Sequence, residues 1–146
     1  MQYTTPQLLS MPGKDLDDLF SSSPSGDIPN GEAQGTAIIA PDTTFSPAIA
    51  SLINIFGWQG KTFDAAHGTL RNRILASGLD AIVAEVYKTE SWFDNKECIV
   101  LDYSKTSIVA EHIRDEIRLI GPGFYLGLVY WDKTRAIHFA LQFPIS

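Results

Sequence analysis

The sequence predicts a mainly β protein of the α+β kind: an antiparallel sheet of about seven to eight strands, with one or two flanking helices, curled around a pocket. Three observations point there. Residues 81–103, AIVAEVYKTESWFDNKECIVLDY, hold two alternating, β-branched-rich runs on either side of a polar turn at Asp94-Asn95, the pattern of a long hairpin. The rest of the C-terminal half continues in similar runs joined by short connections, which makes neighbouring strands antiparallel. Polar groups also recur inside the runs, Glu85 and Tyr87 in the first arm and Asp102 in the second. In a curled sheet such groups, if they face inward, decide what the pocket does.

Taken in order, residues 1–31 read as a loop-rich lead-in, because the serine run at 21–23 with Pro24-Ser25-Gly26, and then Pro29-Asn30-Gly31, are loop chemistry. A short helix over 14–20 would place Leu16, Leu19 and Phe20 on one side. Residues 32–146 form the single barrel domain. Its first strand is 32–40, ended by Pro41. Ser46-Pro47 then starts a helix that carries Ile49, Leu52, Ile53 and Phe56 on one face and stops at Gly57. Strands follow at 58–64 and 68–75, then the hairpin. Residues 105–120 are ambiguous: Val109, Ile113 and Ile117 recur every four residues and Glu111, Arg114, Asp115 and Arg118 would share a solvated side, which favours a helix, while 113–120 also alternates as a strand would. A last hairpin spans 124–131 and 135–143 across Asp132-Lys133-Thr134.

Composition excludes several classes. A net charge of −6 with no Lys/Arg cluster argues against nucleic acid as a partner. The start of the chain has no basic or apolar signal pattern, and the longest apolar segment, near 48–58, is too short and too polar to span a bilayer, so a cytoplasmic protein is expected. A single cysteine, Cys98, reads as a small buried hydrophobe. His67, His112 and His138 are far apart and not at zinc-binding spacing, so no metal is expected. Phosphate-loop, dinucleotide and nucleophile-elbow motifs are absent as well, and no cofactor is expected.

Strand periodicity narrows the chemistry. In the second arm of the hairpin, Cys98, Val100 and Asp102 share one face, and Glu97, Ile99, Leu101 and Tyr103 share the other. Periodicity leaves open which face looks inward. If Asp102 does, it is a buried carboxylate that needs a partner, and Lys61, Arg114 and the tyrosines are the candidates. Aromatic residues lie on or beside most strands, as expected of a core or of pocket walls.

The segments WQGKTF (58–63), 92–103 and IRDEIRLIGPGFYLGLVY (113–130) resemble a group of small bacterial proteins of uncertain function that are similar in layout to lipocalin-like (calycin) barrels. The resemblance covers 28–143. The chain departs from true lipocalins in having no G-x-W signature near its first strand. The resemblance implies a pocket for an apolar small molecule such as an isoprenoid, polyketide or fatty-acid-like compound. Trp58, Tyr87, Tyr125 and Trp131 would supply walls. Lys61, Asn72, Glu85, Asp102, Arg114 and His138 would supply polar contacts. Relatives of that architecture include cyclases and isomerases. A cofactor-independent enzyme in the same pocket is therefore the alternative, with Asp102 handling protons and Tyr125 or Lys61 stabilising an oxyanion. A homo-oligomer is compatible with either reading, and an interaction protein is the third class.

Overall fold

In a computed structural model of the chain, residues 3–38, 58–74, 82–105 and 111–144 are described; the side chains at 58, 59, 72–74 and 82 are not. Two short helices, α1 (Thr5–Ser10) and α2 (Gly13–Ser22), precede eight strands: β1 (Gly31–Ile38), β2 (Trp58–Asp64), β3 (Thr69–Ile74), β4 (Ile82–Glu90), β5 (Glu97–Asp102), β6 (Ile113–Gly121), β7 (Phe124–Trp131) and β8 (Thr134–Gln142). The strands close in sequence order into one antiparallel barrel, with β1 pairing β8 over Gln34–Ile38. The mainly β barrel expected from the hairpin patterns is the fold observed. The helix expected at 46–56 falls outside the described residues.

Closure follows from the side-chain alternation. Ile99, Leu101 and Tyr103 turn inward with Val86, Ile117, Phe139 and Leu141, forming the interior core. Cys98 and Val100 turn outward and meet Leu126, Leu128, Tyr130 and Ala140 in a second core. That outer core exists because α1 and α2 lie on it, burying Leu8, Leu16 and Phe20 completely. Within the loop-rich lead-in, α1 and α2 thus cover one side of the barrel. Local sequence starts α1, where Thr4 and Gln7 form a reciprocal capping box and Pro6 occupies the first turn.

The segment at 105–120, which the sequence leaves between helix and strand, carries β6 from Ile113 onward, so the favoured helix gives way there to the strand; residues 106–110 lie outside the described residues. A spacing of four is a multiple of two, so Ile113 and Ile117 suit a strand face as well as a helix stripe. Two of the charges meant for a solvated helix side are instead buried on opposite faces of β6, Arg118 at 1% exposure and Asp115 at 4%, while Glu111 precedes the strand and is exposed. Gly121-Pro122-Gly123 makes the tight turn into β7, with Gly123 at φ 61°.

The two barrel ends differ. At the end where β1, β3, β5 and β7 begin, residues 24–30 cross from β6 to β1. There Leu119 N–H donates to the Pro24 carbonyl (2.9 Å), Tyr125 Oη donates to the Asp27 carbonyl (2.8 Å), and Ile28 packs on the interior core. This segment plugs that end. Behind it Phe143 meets Phe63 in a tilted contact and Tyr125 edge-on, with ring centroids 5.5 and 5.6 Å away. Strands β1, β3, β5 and β7 finish at the opposite end, as the topology requires.

Candidate functional site

Inside the barrel, polar side chains meet across an otherwise apolar interior. Lys61 is inward-facing because it shares its face of β2 with Phe63, and it is 3% exposed. Asp115 occupies the corresponding face of β6 between Ile113 and Ile117. In an eight-strand ring β2 and β6 are diametrically opposite. The Lys61 stem therefore spans the barrel to bring Nζ within 3.4 Å of Asp115 Oδ2. Tyr103, just beyond β5, completes the cluster: Lys61 Nζ donates to Tyr103 Oη at 2.6 Å, and Tyr103 Oη donates weakly to Asp115 Oδ2 at 3.4 Å. Nζ also lies 5.4 Å from the centroid of the Tyr103 ring and 5.6 Å from that of Phe139.

Electrostatics push this cluster toward neutrality. Burial lowers the Lys61 ammonium pKa, although Asp115 opposes the shift. Burial raises the Asp115 carboxyl pKa, although Lys61 and Tyr103 oppose that. Asp115 Oδ1 is buried without a hydrogen-bond partner. A buried carboxylate oxygen left bare is costly and calls for an explanation, and a ligand group or ordered water is one. The arrangement can hold a single polar group against apolar walls and can move a proton between an amine, a phenol and a carboxyl.

The other residues singled out in the sequence scatter. Asp102 lies on the outer face of β5 beside Cys98 and Val100, not in the barrel. Burial there raises its pKa, but Ser104 and Tyr87 outweigh it and hold the carboxyl below its usual range. Tyr87 is exposed and donates to Asp102 Oδ2 (2.7 Å); the tyrosine partner anticipated for Asp102 is present, outside. Glu85 pairs in register with Asp102 on that same outer face. Arg114 is also outside, bonded to Glu116 Oε2 (3.0 Å) with its guanidinium 4.1 Å from the Trp92 ring centroid. His138 sits under α2, with Nε2 2.8 Å from Asp17 Oδ1. Tyr125 points inward, but its hydroxyl is spent on the plug. Trp131 packs against the interior core at the end of β7 away from the plug. Trp58 and Asn72 belong to β2 and β3, and their side chains lie outside the described residues.

Of the expected residues, then, Lys61 alone is seen in the polar interior cluster. Tyr103 and Asp115 were missed as its partners. The signal existed: in Ile113-Arg114-Asp115-Glu116-Ile117 a carboxylate falls between two isoleucines at period two.

A concavity of about 380 Å³ lies on the outer surface among Trp92, Asp102, Ser104, His112, Arg114 and Lys133. Polar side chains here are engaged with neighbours, as in His112 Nδ1–Asp132 Oδ1 (2.9 Å) and Arg114–Glu116 (3.0 Å). Among the described residues no cluster of His, Cys, Asp or Glu could hold a metal ion, and no helix is long and apolar enough to cross a membrane.

No family model matches the chain, and no curated protein matches it. Among solved structures, a protein from Thermomonospora curvata is similar, with a TM-score of 0.64 over 93% of this chain and 90% of that one, at 13% identity. At that identity the likeness concerns the fold alone.

Proposed function

We propose that the barrel binds an apolar small molecule with one polar end, and that Lys61, Tyr103 and Asp115 receive that end. The observation that carries this reading is the bare Asp115 Oδ1 beside a buried amine in an apolar interior. Apolar walls with a few convergent polar groups are the usual composition of a small-molecule site. An eight-stranded barrel is just wide enough to be filled by side chains or to hold one small ligand. The isoprenoid, polyketide and fatty-acid-like classes all fit this description.

Native mass spectrometry of the purified protein, followed by denaturing extraction, tests it. A co-purifying apolar compound that is lost from Asp115→Leu supports the reading. An empty protein that also fails to bind a panel of hydrophobic probes removes it.

A cofactor-independent cyclisation or isomerisation is the second reading, favoured by the opposed shifts of Lys61 and Asp115. Asp115 then takes the proton-handling place first given to Asp102, and Tyr103 the place given to Tyr125. Chemical change of the bound compound on incubation distinguishes this enzyme from a carrier.

A further inference from the structure

We propose that Lys61 forms an imine with the carbonyl of an apolar aldehyde or ketone inside the barrel, with Asp115 as proton donor and then counter-ion. The proposal rests on the small-molecule reading above and names the functional group that the ligand would carry.

The geometry supports it in three ways. An amine reaches a carbonyl carbon as a nucleophile only when it is unprotonated, and an apolar enclosure favours that form. Lys61 is 3% exposed among Phe63, Phe139 and Tyr103, which is such an enclosure. A carboxyl must also stand close enough to give and take protons, and Asp115 Oδ2 is 3.4 Å from Nζ. Lastly, Asp115 Oδ1 is open to a further hydrogen bond, where the oxygen of an incoming carbonyl or of the hydroxyl made from it could be received.

The step balances without a cofactor. The Nζ lone pair attacks the carbonyl carbon, and the carbonyl oxygen takes a proton to give a carbinolamine. Nζ loses one proton as the C–N bond forms. Protonated Asp115 then donates to the hydroxyl, which leaves as water, and the nitrogen lone pair closes the C=N bond. The product is an iminium next to the Asp115 carboxylate, an ion pair that replaces Lys61–Asp115. Tyr103, bonded to Nζ at 2.6 Å, holds the amine in line. No electron leaves or enters.

Reductive trapping tests the idea on the whole chain. The protein is incubated at pH 7 with decanal and cyanoborohydride, and the adduct is mapped by peptide mass. The expected result is one decyl group, on Lys61, formed at least tenfold faster than on the exposed Lys14, Lys96 and Lys133. With cinnamaldehyde, the protonated imine absorbs to the red of the neutral one, and Asp115→Asn should shift that absorbance change to lower pH. Label confined to exposed lysines overturns the proposal. In that case decanol, which cannot form an imine, separates the failures. If decanol still displaces a fluorescent apolar probe, the binding reading stands and only the imine is lost. If it does not, both fall. An absorbance titration unmoved by Asp115→Asn overturns the role of Asp115.

Discussion

Replacing the interior cluster with apolar residues, as Lys61→Met, Tyr103→Phe and Asp115→Leu together, should leave the ligand-stripped protein as stable as the parent or more so. The Lys61–Asp115 side chains are 4% and 5% exposed and 3.4 Å apart. At an effective dielectric of about 20 their attraction is about 5 kcal/mol. Removing each ion from water costs several kcal/mol, so two ions together outweigh that attraction. Burial shifting both groups toward their neutral forms is the same statement in terms of protons. The triple variant removes the cost and the attraction together, and the expected gain is about 0–4 kcal/mol. Asp115→Leu alone strands Lys61 and should cost about 3–5 kcal/mol. Urea unfolding at pH 7, followed by tryptophan fluorescence and circular dichroism, separates the two cases. With an m value of about 2 kcal/mol/M, the single variant loses roughly 2 M in midpoint while the triple variant holds or rises. A triple variant about 3 kcal/mol less stable than the parent, at unchanged m, would refute the reasoning. The cluster would then be a structural tie, and the argument for a ligand there would lose its footing.

Three other perturbations address the frame around the site. Asp94→Asn should cost about 2 kcal/mol, because Arg118, 1% exposed, loses a bidentate partner at 2.6 and 2.7 Å but keeps its bonds to the Phe20, Lys96 and Glu97 carbonyls; urea midpoints check it. Arg118 lowers the Asp94 pKa from 3.8 to about 2, so its stabilisation is full above about pH 4 and is lost as pH falls through 2, which an acid titration of parent against Asp94→Asn reads directly. Gly127→Ala should destabilise by about 1–3 kcal/mol, since its methyl would overlap the Phe139 ring, and Phe139→Leu in the same chain should recover part of the thermal midpoint. Cys98 is buried, and burial together with Glu116 raises its thiol to about 12, so the native protein should stay unmodified by a thiol reagent at pH 8 and react fully in urea.

The barrel was legible in the sequence because seven of its strands alternate under local turn signals. Asn95 (φ 63°), Gly68 (φ 64°) and Asp132 (φ 55°) stand in the hairpin turns, where residues tolerant of positive φ are wanted. β6 was hidden by the ambiguity of fourfold spacing. The site was harder, because inward and outward are global properties. Cys98-Val100-Asp102 and Ile99-Leu101-Tyr103 are equally plausible linings until something covers one of them. What covers the first is α2, whose Leu16 and Phe20 come from a segment that reads locally as mostly loop. Once that helix turns Cys98 and Val100 into a second core, Asp102 must be outside, and Tyr103 and Asp115 must be inside with Lys61.

The N-terminal helices and the plug also constrain how the chain can assemble. α1 and α2 precede every strand in the chain, yet much of the surface they bury against is built from β5, β7 and β8, together with Ile38 of β1. Until the later strands exist, the surface for Leu8, Leu16 and Phe20 is incomplete. β1 pairs with β2 beside it, but its other edge waits for β8, since the barrel seam joins the first and last strands. Folding therefore has few independent sub-units: the contacts that stabilise the beginning of the chain are made with its end, a high-contact-order arrangement that folds slowly and cooperatively.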